Sequence, residues 1–251
     1  MEAWIFQGRV LPERIPVRIS QPIEGEATVP TFGLSYKWSY AIADSQIVAD
    51  LTITKGNTDL NTLKNLLEDH IRSMLDLIGY QQGVSFDVEI VSAVNSIDKT
   101  KCVFGIAIPV LQQRRKDSQL NQLSTDTMIA IAKEPHAQIV LADFREAMRI
   151  PTGTGFFCYR AIEAMMQSMR NGSEEKVAWP RLRERLRIDR GAIDYVKSHG
   201  DFPRHGRPSE ISDSERAKVF EITDLAIERF LAYLEFAPAP LNEKKYPVIK
   251  I

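Results

Sequence analysis

Cysteine is scarce in this 251-residue chain: Cys102 and Cys158 are the only two, and both sit among apolar neighbours. Two thiols cannot build a disulfide framework, and buried reduced thiols behave as small hydrophobes. Histidine is nearly as sparse. His70, His136, His199 and His205 are scattered, and none has metal-ligand spacing to a cysteine or carboxylate cluster, so the sequence predicts no metal site and no cofactor. Charge of one sign is also lacking, with 32 basic residues against 33 acidic ones and a net charge of -1. Overall charge therefore selects no polyanionic or polycationic partner. No window approaches the roughly 18 consecutive apolar residues that span a bilayer, and the opening "MEAWIFQGRVLPERIP" has no basic segment followed by an apolar one. A cytoplasmic protein without membrane contact is expected.

What is present divides by periodicity. "EAWIFQGRV", "IPVRIS", "FGLSYKWSYAIAD" and "QIVADLTITK" are rich in β-branched and aromatic residues, several at period two, and suggest about four antiparallel strands. Between Thr58 and Ile78 the apolar residues Leu60, Leu63, Leu67, Ile71, Met74 and Ile78 recur every three or four positions, predicting a long helix capped by Asn57 or Thr58. "VSFDVEIV" and "KCVFGIAIPV" predict two more strands. These elements make an α+β domain over residues 1–112, dominated by antiparallel sheet with one long helix. The polar "QRRKDSQLNQLS" assigns residues 113–124 to a linker. Residues 125–236 then carry about five helical patterns, enough for a bundle, and residues 237–251 form an extended tail. The last helix begins with a capping box, Ser212 to Glu215.

Candidate chemistry lies in the helical half. Within "TGTGFFCYRAIEAMMQSMR", helical geometry places Arg160, Glu163, Gln167 and Arg170 in an arc of roughly 80° on an otherwise apolar helix. This line is either the solvated edge of a central helix or one wall of a polar groove. Between Trp179 and Arg207 stand eight basic residues against four acidic ones. Among them Arg181, Arg183, Arg187, Arg190 and Arg207 are candidate nucleic-acid contacts, since guanidinium groups grip phosphates bidentately. The alternative is a solvated helix face. In "DFPRHGRPSE", Arg204 adjoins His205, the pairing of a phosphate-steadying cation with a side chain able to move protons near neutrality. Arg160, Glu163, Arg204 and His205 are thus the candidate catalytic set, and Glu163 with Arg204 is equally a candidate salt bridge between two helices.

The stretch "FREAMRIPTGTGFFCYRAIEAMM", followed by the basic hairpin with "PRHG", resembles the HEPN superfamily over roughly residues 134–236. That resemblance implies a helical bundle from a prokaryotic defence or toxin system, dimerisation, RNA contact, and in nuclease members metal-independent RNA cleavage by an arginine and a histidine four to six residues apart. Here Arg204 and His205 are adjacent, and Arg190 and His199 are separated by eight residues. Three readings follow: an RNA-contacting homodimer, a metal-independent endoribonuclease, and a non-catalytic structural or protein-interaction module.

Overall fold

A computed structural model describes residues 2–105, 107–117, 125–170, 172–207, 210–236 and 240–251. The chain divides into two units, Met1–Ile106 and Ala107–Ile251, each with its own apolar core.

Among the described residues, the first unit is an antiparallel sheet of six strands with one α-helix. The strands are β1 (Glu2–Leu11), β2 (Ile19–Val29), β3 (Leu34–Ala43), β4 (Gln46–Lys55), β5 (Asp87–Asn95) and β6 (Lys101–Val103), in the order β2-β3-β4-β1-β5-β6. Alternation decides which face is covered. In β4, Ile47, Ala49, Leu51 and Ile53 are buried while Val48 and Asp50 are exposed. The buried face is covered by α1 (Leu60–Gln82), whose residues Leu63, Leu67, Ile71 and Leu75 join the sheet in one core. Asp59, one residue past the expected caps, accepts a hydrogen bond from the Thr62 amide at 2.9 Å. The β3–β4 hairpin turns on Asp44 and Ser45, both with positive φ, which matches the twist of the flanking strands.

β2 overlaps the predicted "IPVRIS" only at Ile19 and Ser20 and runs on to Val29 through Pro22 and Gly25. An edge strand tolerates proline, since one side of its backbone has no strand to donate to. Gly25 lies beneath Trp38, where a Cβ would come within 2.7 Å of the indole ring.

His70 of α1 is held in this core. Its Nε2 lies 2.8 Å from the Tyr36 hydroxyl and its ring stacks on Trp38 at 4.5 Å, with Tyr40 alongside. Burial pushes the imidazole pKa below its usual value. In the unfolded chain His70 takes up a proton below about pH 6.5, whereas the folded site resists it, so stability should fall as pH drops through that range. Melting of the wild type between pH 7.5 and 5.5 should show this loss, and His70→Gln should flatten it. Equal slopes for both proteins would contradict the assignment.

The second unit is helical: α2 (Pro109–Asp117), α3 (Thr125–Lys133), α4 (Pro135–Arg149), α5 (Thr154–Ser168), α6 (Glu175–Leu186), α7 (Arg190–Arg204) and α8 (Asp213–Phe236). Two boundaries differ from the sequence reading. Among the described residues, "KCVFGIAIPV" forms a strand only over Lys101–Val103, and residues assigned to the end of the sheet domain and the start of a linker form α2. Pro109 suits a helix start, and the polar face of α2 is matched in tertiary structure: Arg114 and Arg115 both reach the buried carboxylate of Asp224 on α8. Residues 118–124 of the expected linker lie outside the described residues. The helix α3 follows where no separate helix was predicted.

The capping box forms as expected. The Ser212 amide donates to Glu215 at 2.9 Å and the Glu215 amide to the Ser212 hydroxyl at 3.3 Å. Gly200 lies inside α7, although glycine more often stands just past a helix end, for a packing reason given below. Of the expected tail, residues 240–251 run beside the end of α6. Ile249 exchanges backbone hydrogen bonds with Arg187 and Asp189 at 2.9 Å, and Leu241 and Ile249 are buried.

Candidate functional site

Helix α5 is the central element of the helical unit, packed against α4, α6, α7 and α8. Cys158, Ala161, Ile162 and Met165 on it are fully buried. Its approach to α7 is unusually close. A Cβ on Gly155 would lie 2.5 Å from the His199 carbonyl carbon, and one on Gly200 would lie 2.9 Å from the Gly155 oxygen. Two glycines thus let the backbones of α5 and α7 touch. Beside them Thr154 is wholly buried, with its hydroxyl donating to the Ala147 carbonyl at 3.0 Å and accepting from Arg216 at 2.8 Å. The turn "PTGTG" therefore serves close packing.

The polar line on α5 splits between two neighbours. Arg160 turns to α4, where its guanidinium lies 3.2 Å from Asp143 and over the rings of Phe156 and Phe157. Asp143 is buried, and desolvation raises its carboxyl pKa despite the nearby guanidinium. Glu163 turns the other way, to Arg204 at the end of α7, at 3.1 Å. Burial raises the Glu163 pKa, opposed by Arg204. The Tyr159 hydroxyl is pushed up to about 12, chiefly by burial and then by Glu163, and the ring stacks on Trp179. Neither this phenol nor Cys158, whose thiol burial also drives to about 12, is ionised near neutrality.

His205 does not join this arrangement. It follows the last residue of α7, is exposed, and its ring makes no hydrogen bond or ion pair among the described residues. The structure therefore brings together Glu163 and Arg204 from the four candidate catalytic residues, directs Arg160 to a different helix, and leaves His205 in solvent.

Most of the basic hairpin is engaged internally. Arg181 donates to the Met169 and Arg170 carbonyls at 2.6 and 3.2 Å, Arg187 pairs with Glu243 at 2.6 Å, and Arg190 pairs with Asp194 at 3.3 Å within α7. Arg183 is half-buried and Arg207 exposed, and neither has an ion pair among the described residues.

A role for arginine that the sequence reading missed is the closure of helix ends. Arg181 caps the end of α5, Arg216 donates to the Ala147 and Met148 carbonyls ending α4, and Arg229 donates to the Leu186 and Arg187 carbonyls ending α6. The last carbonyls of a helix lack intrahelical donors and carry partial negative charge, so a guanidinium from another helix satisfies both needs. Arg216 and Arg229 are buried, and their position on the inward face of α8 was the available signal.

Glu163→Ala should cost no more than about 1 kcal/mol, because the Arg204 side chain is 46% exposed and can rehydrate when its partner is removed. Thermal melting checks this, and a loss of several kcal/mol would mean the pair is effectively desolvated.

Among the described residues no cluster of three or more histidine, cysteine or acidic side chains is arranged to hold a metal, and no helix is long and apolar enough to cross a membrane. Residues 4–104 match the N-terminal domain, and residues 125–235 the C-terminal domain, of a family described as a domain of unknown function, DUF8168. No curated protein matches the chain. No solved structure matches it either.

Proposed function

We propose that this chain, which matches both domains of DUF8168 in order, is a non-catalytic protein-interaction module whose charged line on α5 orients its own helices. The observation that carries this reading is the divergence of the candidate catalytic residues. Arg160 pairs with α4, Glu163 with α7, and the ring of His205, the group needed to move protons, has nothing to orient it. Proton transfer requires the acid or base within hydrogen-bond reach of the reacting group and aimed at it. An HEPN-like endoribonuclease would instead need His205 and a free arginine to converge on one phosphate.

One observation favours RNA contact as a second reading. Phe202 is 51% exposed beside Arg204, His205 and Arg207 at the end of α7, and an exposed ring among cations suits stacking on a single strand. A single experiment separates the three readings: labelled single-stranded RNA is incubated at low salt with chelator, using the wild type, His205→Ala and Phe202→Ala. The module reading expects neither cleavage nor binding. Binding weakened by Phe202→Ala would establish RNA contact, and cleavage abolished by His205→Ala would establish the nuclease.

A further inference from the structure

The helical unit holds a cleft of about 230 Å³ between α2, α3, α4 and α8. Asp224, Ile227, Glu228 and Leu231 line it from α8, and their spacing of three and four residues puts them on one face of that helix. Leu141 and Phe144, one turn apart on α4, form a second wall. Phe144 and Ile227 are buried whereas Leu141 is 37% exposed, so the cleft runs from the core to the surface. Its acids are already spent inside the protein. Asp224 is buried and accepts from Arg114 Nε at 2.7 Å and from both terminal nitrogens of Arg115, while Glu228 accepts from Arg114 at 3.3 Å. Arg115, which also lines the cleft, is different. It gives Asp224 two N–H groups, a guanidinium carries more, and its remaining donors have no acceptor among the described residues.

We propose that this cleft binds a small carboxylic acid, its carboxylate on Arg115 and its apolar body against Phe144, Ile227 and Leu231. A concave, mostly apolar site with a few convergent polar groups is the usual form of a small-molecule pocket. The unspent donors of Arg115 call for an acceptor, and a carboxylate makes charge-assisted hydrogen bonds to guanidinium that are stronger than those of a neutral group. An amine would have to take Asp224 or Glu228 from an arginine that already holds it. Volume limits the body. At about 30 Å³ for each water-sized group, the cleft has room for about eight non-hydrogen atoms, the size of a six-carbon acid. None of the lining residues belongs to the charged line on α5 or to the end of α7, so the inference is independent of whether the helical unit contacts RNA.

Calorimetric titration of the full chain with hexanoate, hexanol and hexylamine at neutral pH tests it. Hexanoate should bind roughly tenfold more tightly than hexylamine, with the alcohol between them. Arg115→Gln should bring hexanoate down to the affinity of hexanol. Leu141→Trp narrows the cleft from a partly exposed position and leaves the ion pairs of Asp224 intact, so it should weaken hexanoate and hexanol alike by roughly tenfold. Melting curves establish that each variant is folded, and Leu141→Trp decides the matter should Arg115→Gln not fold. Absence of hexanoate binding at millimolar concentration would overturn the proposal, as would hexylamine binding as tightly as hexanoate, or hexanoate binding unchanged by Leu141→Trp.

Discussion

Gly155→Ala should lower the stability of the helical unit by about 3 kcal/mol, or roughly 10 °C in melting temperature. The sign is the informative part. Replacing glycine by alanine inside a helix ordinarily stabilises it by up to about 1 kcal/mol, because alanine restricts the unfolded chain and favours helix. Here the added methyl would press into the His199 carbonyl of α7, and the obstructing atoms are backbone, which cannot rotate aside. The helices must separate, and the contacts of Tyr159 and Val196 beside the crossing loosen with them. Gly200→Ala meets the Gly155 oxygen at 2.9 Å and the Tyr159 Cβ at 3.2 Å, so it should act in the same direction with a smaller effect. Calorimetry of the two variants checks both, and an unchanged or raised melting temperature for Gly155→Ala would refute the close crossing.

Arg229→Ala should also cost about 3 kcal/mol, and it should release the C-terminal segment. The guanidinium is buried and donates to Leu186 O at 3.0 Å, Arg187 O at 2.7 Å and Pro247 O, joining the end of α6 to the chain after α8. Burial lowers its pKa, yet arginine keeps its charge at any ordinary pH. Without it, three carbonyls lose a charged donor, two of them at the end of α6, where the Arg187 carbonyl keeps the Ile249 amide. Arg229→Lys should recover little, because an ammonium on a flexible stem cannot span three separated carbonyls as a planar fork does. Limited proteolysis should cut residues 240–251 faster in both variants than in the wild type. Equal cleavage rates would show that Leu241 and Ile249 hold this segment unaided.

These two sites show what local pattern conveys and what it cannot. Gly200 looked like a helix terminator because glycine usually ends helices, and nothing within ten residues reveals that Gly155, forty-five positions earlier, lies against it. Arg181, Arg187 and Arg190 looked like a phosphate-binding surface because composition counts charges without their partners. Those partners are a helix end, Glu243 and Asp194, two of which lie outside the hairpin. The candidate catalytic set failed to converge for a related reason. Spacing placed Arg160 and Glu163 on one line of α5, which is correct, but residues three apart can still lean toward different neighbours when helices pack on both sides. Asp143, buried within "IVLADFREAM", was a signal in plain view: a carboxylate flanked by Val140, Phe144 and Ala147 needs a cation, and Arg160 supplies it.

The sequence by itself determined the α+β class, the succession from strands to helices, the apolar stripe of α1 and the capping box of α8, because each depends on periodicity or on hydrogen bonds spanning a few residues. Only the tertiary structure decided that α2 belongs with the helices, that β2 runs on through Pro22 and Gly25 as an edge strand, and that Glu163 meets Arg204 while His205 stands apart. Those outcomes rest on partners distant along the chain: a carboxylate on α8 for the arginines of α2, an indole over Gly25, and a glycine crossing that fixes how far α7 lies from α5. Desolvation and close contact act through space, and sequence separation carries no record of them until the chain has packed.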